Sequence, residues 1–127
     1  MTAQSNKPNG QGLSRILKAS RCSMQGFKAA WQHESAFRQE ALLVAVLLPL
    51  SFILAESANH WLILFASLLL VLLAELLNSA IEALADTITL DHHPLIGRAK
   101  DIGSAVVFVA LSLLTVVWVE ALWRYLH

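Results

Sequence analysis

The chain has 127 residues, of which 57% are hydrophobic and 14% are charged, and its formal net charge is zero. Soluble domains carry about a quarter charged residues, so the composition excludes an ordinary soluble domain and indicates a membrane protein. A zero net charge gives no electrostatic basis for nucleic-acid binding. The single cysteine excludes an intramolecular disulfide, and no Cys or His cluster has the spacing of a structural zinc site.

The N-terminal part predicts a disordered tail followed by an amphipathic helix. Residues 1–12 are rich in Asn, Gln, Ser and Gly, which predicts disorder, and they lack the apolar core of a cleavable signal peptide. Over residues 13–32, apolar side chains recur at helical spacing while basic side chains cover the remaining surface. This pattern predicts a helix that lies in the membrane interface.

Three apolar segments then predict membrane-spanning helices. Their expected bounds are about 36–56, 61–85 and 101–125. A polar loop is expected from Thr87 to Lys100, with Gly97 among its helix breakers. Trp61 and Trp118 are expected to lie at the membrane surfaces, where tryptophan is enriched.

The Lys and Arg residues predict the topology. Six lie before the first span or in its first turn, none lie in the first connector, two lie in the second loop and one lies at the very end of the third span. The positive-inside rule places the N-terminus in the cytoplasm and the C-terminus outside. The expected fold is an all-α membrane protein with three spans and one interfacial helix. Such short spans bury little in a monomer, so we expect an oligomer.

One stripe of the second span carries most of the polar chemistry. At about 100° per residue, Asn78 lies roughly 60° from Glu75, while Glu82 and Asp86 return to within about 20° of it. Ser79 falls in the same arc. Ionisable groups at membrane depth are costly and usually face a protein interior or a water-filled cavity. We therefore expect the chemistry on this stripe.

The predicted topology brings three polar clusters to the same depth in the membrane, on its cytoplasmic side. They are residues 34–40, 75–86 and 98–104. Carboxylates there can bind Mg²⁺ together with substrate phosphates, and basic groups can neutralise phosphate charge during transfer. Alternatively, the carboxylates can carry protons or cations across the membrane. No phosphate-binding loop, dinucleotide fingerprint or soluble-kinase catalytic loop is present. The residues alone leave enzyme and transporter about even, with a helical scaffold protein as a third possibility.

Three blocks of the sequence resemble the prokaryotic diacylglycerol kinase family. They are Ala29–Glu40, Glu75–Asp86 and Gly97–Ala105, in the right order and at the right spacing. The resemblance runs from about Arg15 to the C-terminus. It implies a single kinase domain over residues 13–127 and a homotrimer whose active sites are shared between neighbouring subunits. It also implies the bacterial inner membrane as location, with a cytoplasmic N-terminus and a periplasmic C-terminus.

The resemblance further implies a reaction. Family members transfer the γ-phosphate of MgATP to the hydroxyl of diacylglycerol, giving phosphatidic acid at the cytoplasmic face. The expected partners are therefore diacylglycerol, ATP and membrane lipid, and the expected cofactor is Mg²⁺. A subfamily phosphorylates undecaprenol, which stays open as the alternative substrate, although residues 34–40 resemble the diacylglycerol branch more closely.

The resemblance also implies residue roles. Glu75 would be the general base on the lipid hydroxyl, and Glu34 and Glu82 would hold the metal. Asn78 and Asp86 would support the catalytic constellation. ATP would contact Arg15, Cys22, Glu34, Glu82, Asp91, His92, His93, Lys100 and Asp101. The lipid substrate would contact Arg15, Ser23, Trp31, Phe37, Arg38, Gln39, Glu40, Glu75 and Ser104.

Overall fold

The computed structural model describes residues 10–127, and the secondary structure within them is helical throughout. The helices are α1 (Gly12–His33), α2 (Ser35–Leu54), α3 (Ala58–Ile88) and α4 (Pro94–Leu126). The predicted all-α class is therefore confirmed. The predicted disordered tail, residues 1–12, lies almost entirely outside the described residues.

The chain divides into two compact units, of which the first ends at Ser35 and the second comprises Ala36–His127. Helix α1 belongs to the first unit, and its bounds match the predicted helix within one residue at each end. Its large apolar side chains are exposed, from Leu13 at 71% to Trp31 at 47%, and only Ala30 is buried. The location of α1 in the membrane interface stays a prediction, as does the assignment of residues 13–127 to one domain.

Helices α2, α3 and α4 are each long and apolar enough to cross a membrane, and they correspond in chain order to the three predicted spans. Helix α3 has 31 residues and α4 has 33, whereas about 20 suffice to cross the hydrocarbon core. At about 1.5 Å per residue, the surplus adds several turns to each helix. The polar end of α3 is thus a continuation of its apolar part, without a break.

The predicted polar loop over residues 87–100 is wrong in its second half, because α4 already begins at Pro94. The side chain of His93 caps this helix, since its Nδ1 accepts a hydrogen bond from the backbone N–H of Leu95 at 3.2 Å. Proline suits the first helical position because no N–H is needed there. Gly97 therefore lies inside a helix and breaks nothing.

Within the second unit, α3 and α4 pack against each other and form the core between them. Its buried members are Leu64, Leu68, Val71, Ala74, Ala110, Leu114, Trp118 and Ala121. Apolar side chains of α2, such as Val44 and Leu47, pack against this cluster. Small residues at helix contacts let the two backbones approach closely, which is the usual way that helices pack in membranes.

Two serines provide partners for tryptophan side chains. Trp118 Nε1 donates to Ser67 Oγ at 3.0 Å, and Ser67 Oγ donates to the Leu64 carbonyl oxygen at 2.6 Å. Trp61 Nε1 donates in the same way to Ser51 Oγ at 2.9 Å. Trp118 is only 8% exposed, so it packs within the protein, and its predicted depth at a membrane surface stays a prediction. It packs inside because Ser67 satisfies its indole N–H.

Replacing Ser67 with alanine tests this contact. Ser67→Ala leaves the buried indole N–H of Trp118 without a partner, and we expect the free energy of unfolding to fall by about 1 kcal/mol. Ser112→Ala is the matched control, because Ser112 is exposed and its hydroxyl bonds only to the Phe108 carbonyl of its own helix. Unfolding by SDS titration in micelles measures both variants. Equal losses in the two would contradict the importance of the Trp118 contact.

Candidate active site

The polar stripe of α3 forms two groups of side chains in the second unit. The inner group consists of Glu40 from α2 with Glu75 and Ser79 from α3. The outer group consists of Asn78, Glu82 and Asp86 from α3 with Lys100 from α4. The α3 members of each group follow from the helical repeat, because residues three and four apart lie on one face of a helix.

The inner group is buried. Glu75 is 4% exposed and Glu40 is 9% exposed. Ser79 Oγ donates to Glu75 Oε1 at 3.4 Å. The two carboxylates are close enough to interact electrostatically, and Glu40 Oε2 is buried with no hydrogen-bond partner among residues 10–127. Two carboxylates away from water repel each other, so a donor group placed between them would stabilise the pair.

The outer group is more open and links α3 to α4. Asn78 Nδ2 donates to Glu82 Oε1 at 3.4 Å. Lys100 Nζ forms a salt bridge with Asp86 Oδ1 at 2.6 Å, and these two side chains are 38% and 46% exposed. Lys100 also interacts electrostatically with Glu82. The ammonium group therefore lies near two carboxylates and stays accessible to an anionic ligand.

The carboxylates of this group fit a metal ion that arrives with a ligand better than a resident one. In the part of the chain that the structure describes, no three His, Cys, Asp or Glu side chains form a metal-binding cluster. Asp86 is paired with Lys100, while Glu82 receives one amide N–H and is half-buried. Mg²⁺ is commonly held by one or two carboxylates together with substrate phosphates, and Glu82 suits the role of such a carboxylate.

The structure brings together six of the predicted site residues, namely Glu40, Glu75, Asn78, Glu82, Asp86 and Lys100. Other predicted site residues belong to the second unit but not to these two groups. Phe37 is buried one turn before Glu40, whereas Asp101 and Ser104 are exposed on α4. The exposed connector between α3 and α4 contains Asp91, His92 and His93, of which His93 caps α4. Arg38 is half-buried and Gln39 is exposed.

The remaining predicted residues belong to the first unit. Arg15, Cys22, Ser23 and Trp31 are exposed on α1. Glu34 ends this helix, with its backbone N–H donating to the Ala30 carbonyl oxygen at 2.9 Å. The roles that the resemblance gives to these residues stay predictions.

Sequence reasoning missed Gly103, a buried residue of α4 that lies directly against Asn78. A signal was available, because glycine inside a helix costs about 1 kcal/mol relative to alanine and often marks a close approach. It also missed that Glu40 interacts electrostatically with Glu75 and that Lys100 pairs with Asp86. These contacts join different helices, so no repeat within one helix reveals them.

Comparison with known proteins gives a family. The family model for prokaryotic diacylglycerol kinase matches residues 21–122, which include both groups. The diacylglycerol kinase of Pseudomonas aeruginosa is 50% identical over 111 residues, covering 87% of this chain and 90% of the relative. That of Haemophilus influenzae is 45% identical over 107 residues, covering 84% of this chain and 91% of the relative. That of Escherichia coli K12 is 42% identical over 117 residues, covering 92% of this chain and 96% of the relative.

The family match confirms the resemblance seen in the three sequence blocks. Together with the three apolar helices, it identifies a multi-pass membrane protein. The buried carboxylates of α2 and α3 and the accessible Lys100 of α4 thus lie in a chain related to lipid kinases over most of its length. The chain belongs to the prokaryotic diacylglycerol kinase family, whose members are lipid kinases.

Proposed function

We propose that this protein phosphorylates diacylglycerol to phosphatidic acid, with ATP as the phosphoryl donor and Mg²⁺ as the cofactor. Family membership supports the class of reaction. The structural observation that carries the proposal is the buried pair Glu40 and Glu75 on two membrane-spanning helices. A carboxylate pair in that position suits a lipid substrate with a hydroxyl group, because the hydroxyl donates to one carboxylate and reduces their repulsion.

In this proposal, Glu75 acts as the general base. The lipid hydroxyl donates a hydrogen bond to its carboxylate, and the hydroxyl oxygen attacks the γ-phosphorus of ATP. The new P–O bond forms as the bond to ADP breaks, and the proton passes to Glu75. Ser79 holds one oxygen of this carboxylate, which fixes its orientation. Glu40 offers a buried acceptor beside the base.

The outer group would receive the nucleotide. When bound, Mg²⁺ neutralises charge on the ATP phosphates. Glu82 supplies one carboxylate ligand, and the family resemblance assigns the second to Glu34. Lys100 neutralises charge on the transferred phosphoryl group. Asp86 holds the Lys100 side chain, and the 2.6 Å salt bridge supports this positioning role.

The remaining assignments complete the proposal. The nucleotide would also contact Arg15, Cys22, Asp91, His92, His93 and Asp101. The lipid would contact Arg15, Ser23, Trp31, Phe37, Arg38, Gln39 and Ser104. The enzyme would be a homotrimer in the bacterial inner membrane, with its N-terminus in the cytoplasm and its C-terminus in the periplasm. Extensive exposed apolar surface on the three long helices supports both lipid contact and assembly.

The substrate is tested by label transfer. Purified protein in mixed micelles receives γ-labelled MgATP, with diacylglycerol and undecaprenol offered in parallel. We expect the label in phosphatidic acid. Preferential labelling of undecaprenol would support the proposed phosphoryl transfer but would identify undecaprenol, and not diacylglycerol, as the substrate. Folded protein that labels neither lipid would contradict the proposed function, and ion-flux assays would then examine a carboxylate-based transporter.

A further inference from the structure

Gly103 of α4 has no room for a side chain. A Cβ atom built on it would lie 2.5 Å from Asn78 Oδ1, and 3.5 Å from both Asn78 Cγ and Ile81 Cδ1. Real Cβ atoms essentially never approach another heavy atom within 3.0 Å, so any side chain at this position would displace the Asn78 amide. By contrast, a Cβ at Gly97 of the same helix would meet no atom within 4 Å.

The Asn78 amide is held from two sides. Its Nδ2 donates to Glu82 Oε1 at 3.4 Å, while its Oδ1 is buried and has no hydrogen-bond partner within residues 10–127. Rotating the amide by 180° would place Oδ1 against the Glu82 carboxylate, and two acceptors repel. The amide orientation is thus set by Glu82, and the space for it is provided by Gly103.

We infer that Gly103 is a positioning residue for phosphoryl transfer: without a side chain of its own, it lets Asn78 hold the Glu82 carboxylate. The inference rests on the proposed role of Glu82 toward the metal of MgATP. With alanine at 103, the Asn78 side chain rotates away and its bond to Glu82 breaks. Helix stability is not the cause, because alanine is a better helix former than glycine.

A double-mutant cycle on the whole protein in lipid micelles tests this inference. Gly103→Ala, Asn78→Ala and the double variant are compared with the native protein by the KM for MgATP at saturating diacylglycerol. We expect Gly103→Ala to raise this KM by about tenfold, because a hydrogen bond to a charged group is lost. The kcat should change less. Gly97→Ala is the matched control and should keep the native KM.

The cycle separates positioning from a general packing effect. If Gly103 acts through Asn78, the double variant has the KM of Asn78→Ala, because the added Cβ no longer meets the amide. The inference would be overturned if the double variant raised the KM by the product of the two single increases. A native KM in Gly103→Ala would also overturn it. Circular dichroism checks folding. If Gly103→Ala misfolds and the double variant folds, the contact between Gly103 and Asn78 is supported. If Gly103→Ala and the double variant both misfold, the inference is overturned.

Two further measurements separate this inference from the proposed function. Glu82→Gln should raise the KM for MgATP, and an unchanged KM would contradict the role of Glu82 and not the contact. The contact itself is read by NMR from the side-chain amide of Asn78, labelled with ¹⁵N. We expect its signal to shift in Gly103→Ala and to stay in Gly97→Ala. An unshifted signal in Gly103→Ala would overturn the inference whatever the kinetics.

Discussion

Glu75→Gln is expected to lower the turnover number by about a thousandfold while leaving the KM for MgATP close to native. Glutamine has the shape of glutamate but cannot accept the proton of the lipid hydroxyl. Its amide also still accepts a hydrogen bond from Ser79, so the helix keeps its local geometry. Initial rates of phosphatidic acid formation, with purified protein in micelles, give both constants.

Glu120→Gln is the matched control for this substitution. Glu120 is exposed on α4 and pairs with Arg124, which also contacts Glu56 of the α2–α3 connector at 3.1 Å. These residues lie at the other end of α4 from Lys100, so we expect native turnover. Near-native turnover in Glu75→Gln, or an equal loss in Glu120→Gln, would show that Glu75 is not the base.

Lys100→Met is expected to have the second largest effect, with turnover lower by about a hundredfold or more. Methionine has a similar reach and helix propensity, but it cannot neutralise charge on the transferred phosphoryl group. Asp86→Asn should lower the turnover less than Lys100→Met does, because the ammonium group of Lys100 remains and loses only the partner that holds it. Steady-state rates at saturating MgATP and diacylglycerol compare the two variants.

Arg98→Met provides the control for this comparison. Arg98 is exposed on the same helix, and the distribution of basic residues predicts that it serves only as a topology marker. We expect native turnover from it. A larger loss in Asp86→Asn than in Lys100→Met would mean that Asp86 itself acts in the chemistry and that Lys100 only serves it.

The fold was predictable where local patterns decide it. The three apolar runs and the amphipathic pattern of residues 13–32 predicted all four helices. The start of α4 was not predicted, because Gly97 and the charges around it suggested a loop. The cap formed by His93 and the favourable first position of Pro94 outweighed them. Trp118 is buried because of Ser67, which is 51 positions away in the chain.

The candidate site was predictable along α3 and less so between helices. The helical repeat predicted that Glu75, Asn78 and Glu82 share a stripe. It carries no information on which residues of α2 and α4 face that stripe. The electrostatic interaction of Glu40 with Glu75, and the contact of Gly103 with Asn78, depend on how the helices pack. Such contacts join residues far apart in sequence, so they appear only in three dimensions.

The stereochemical course at phosphorus tests most directly whether Glu75 acts as a base in a single displacement. The measurement uses ATP made chiral at the γ-phosphorus with oxygen isotopes, and the configuration of the phosphatidic acid is then determined. Direct attack by the lipid hydroxyl is one in-line displacement, so we expect inversion. Retention would mean two displacements through a phosphorylated enzyme. It would contradict the role of Glu75 as a base and favour a carboxylate that attacks phosphorus itself.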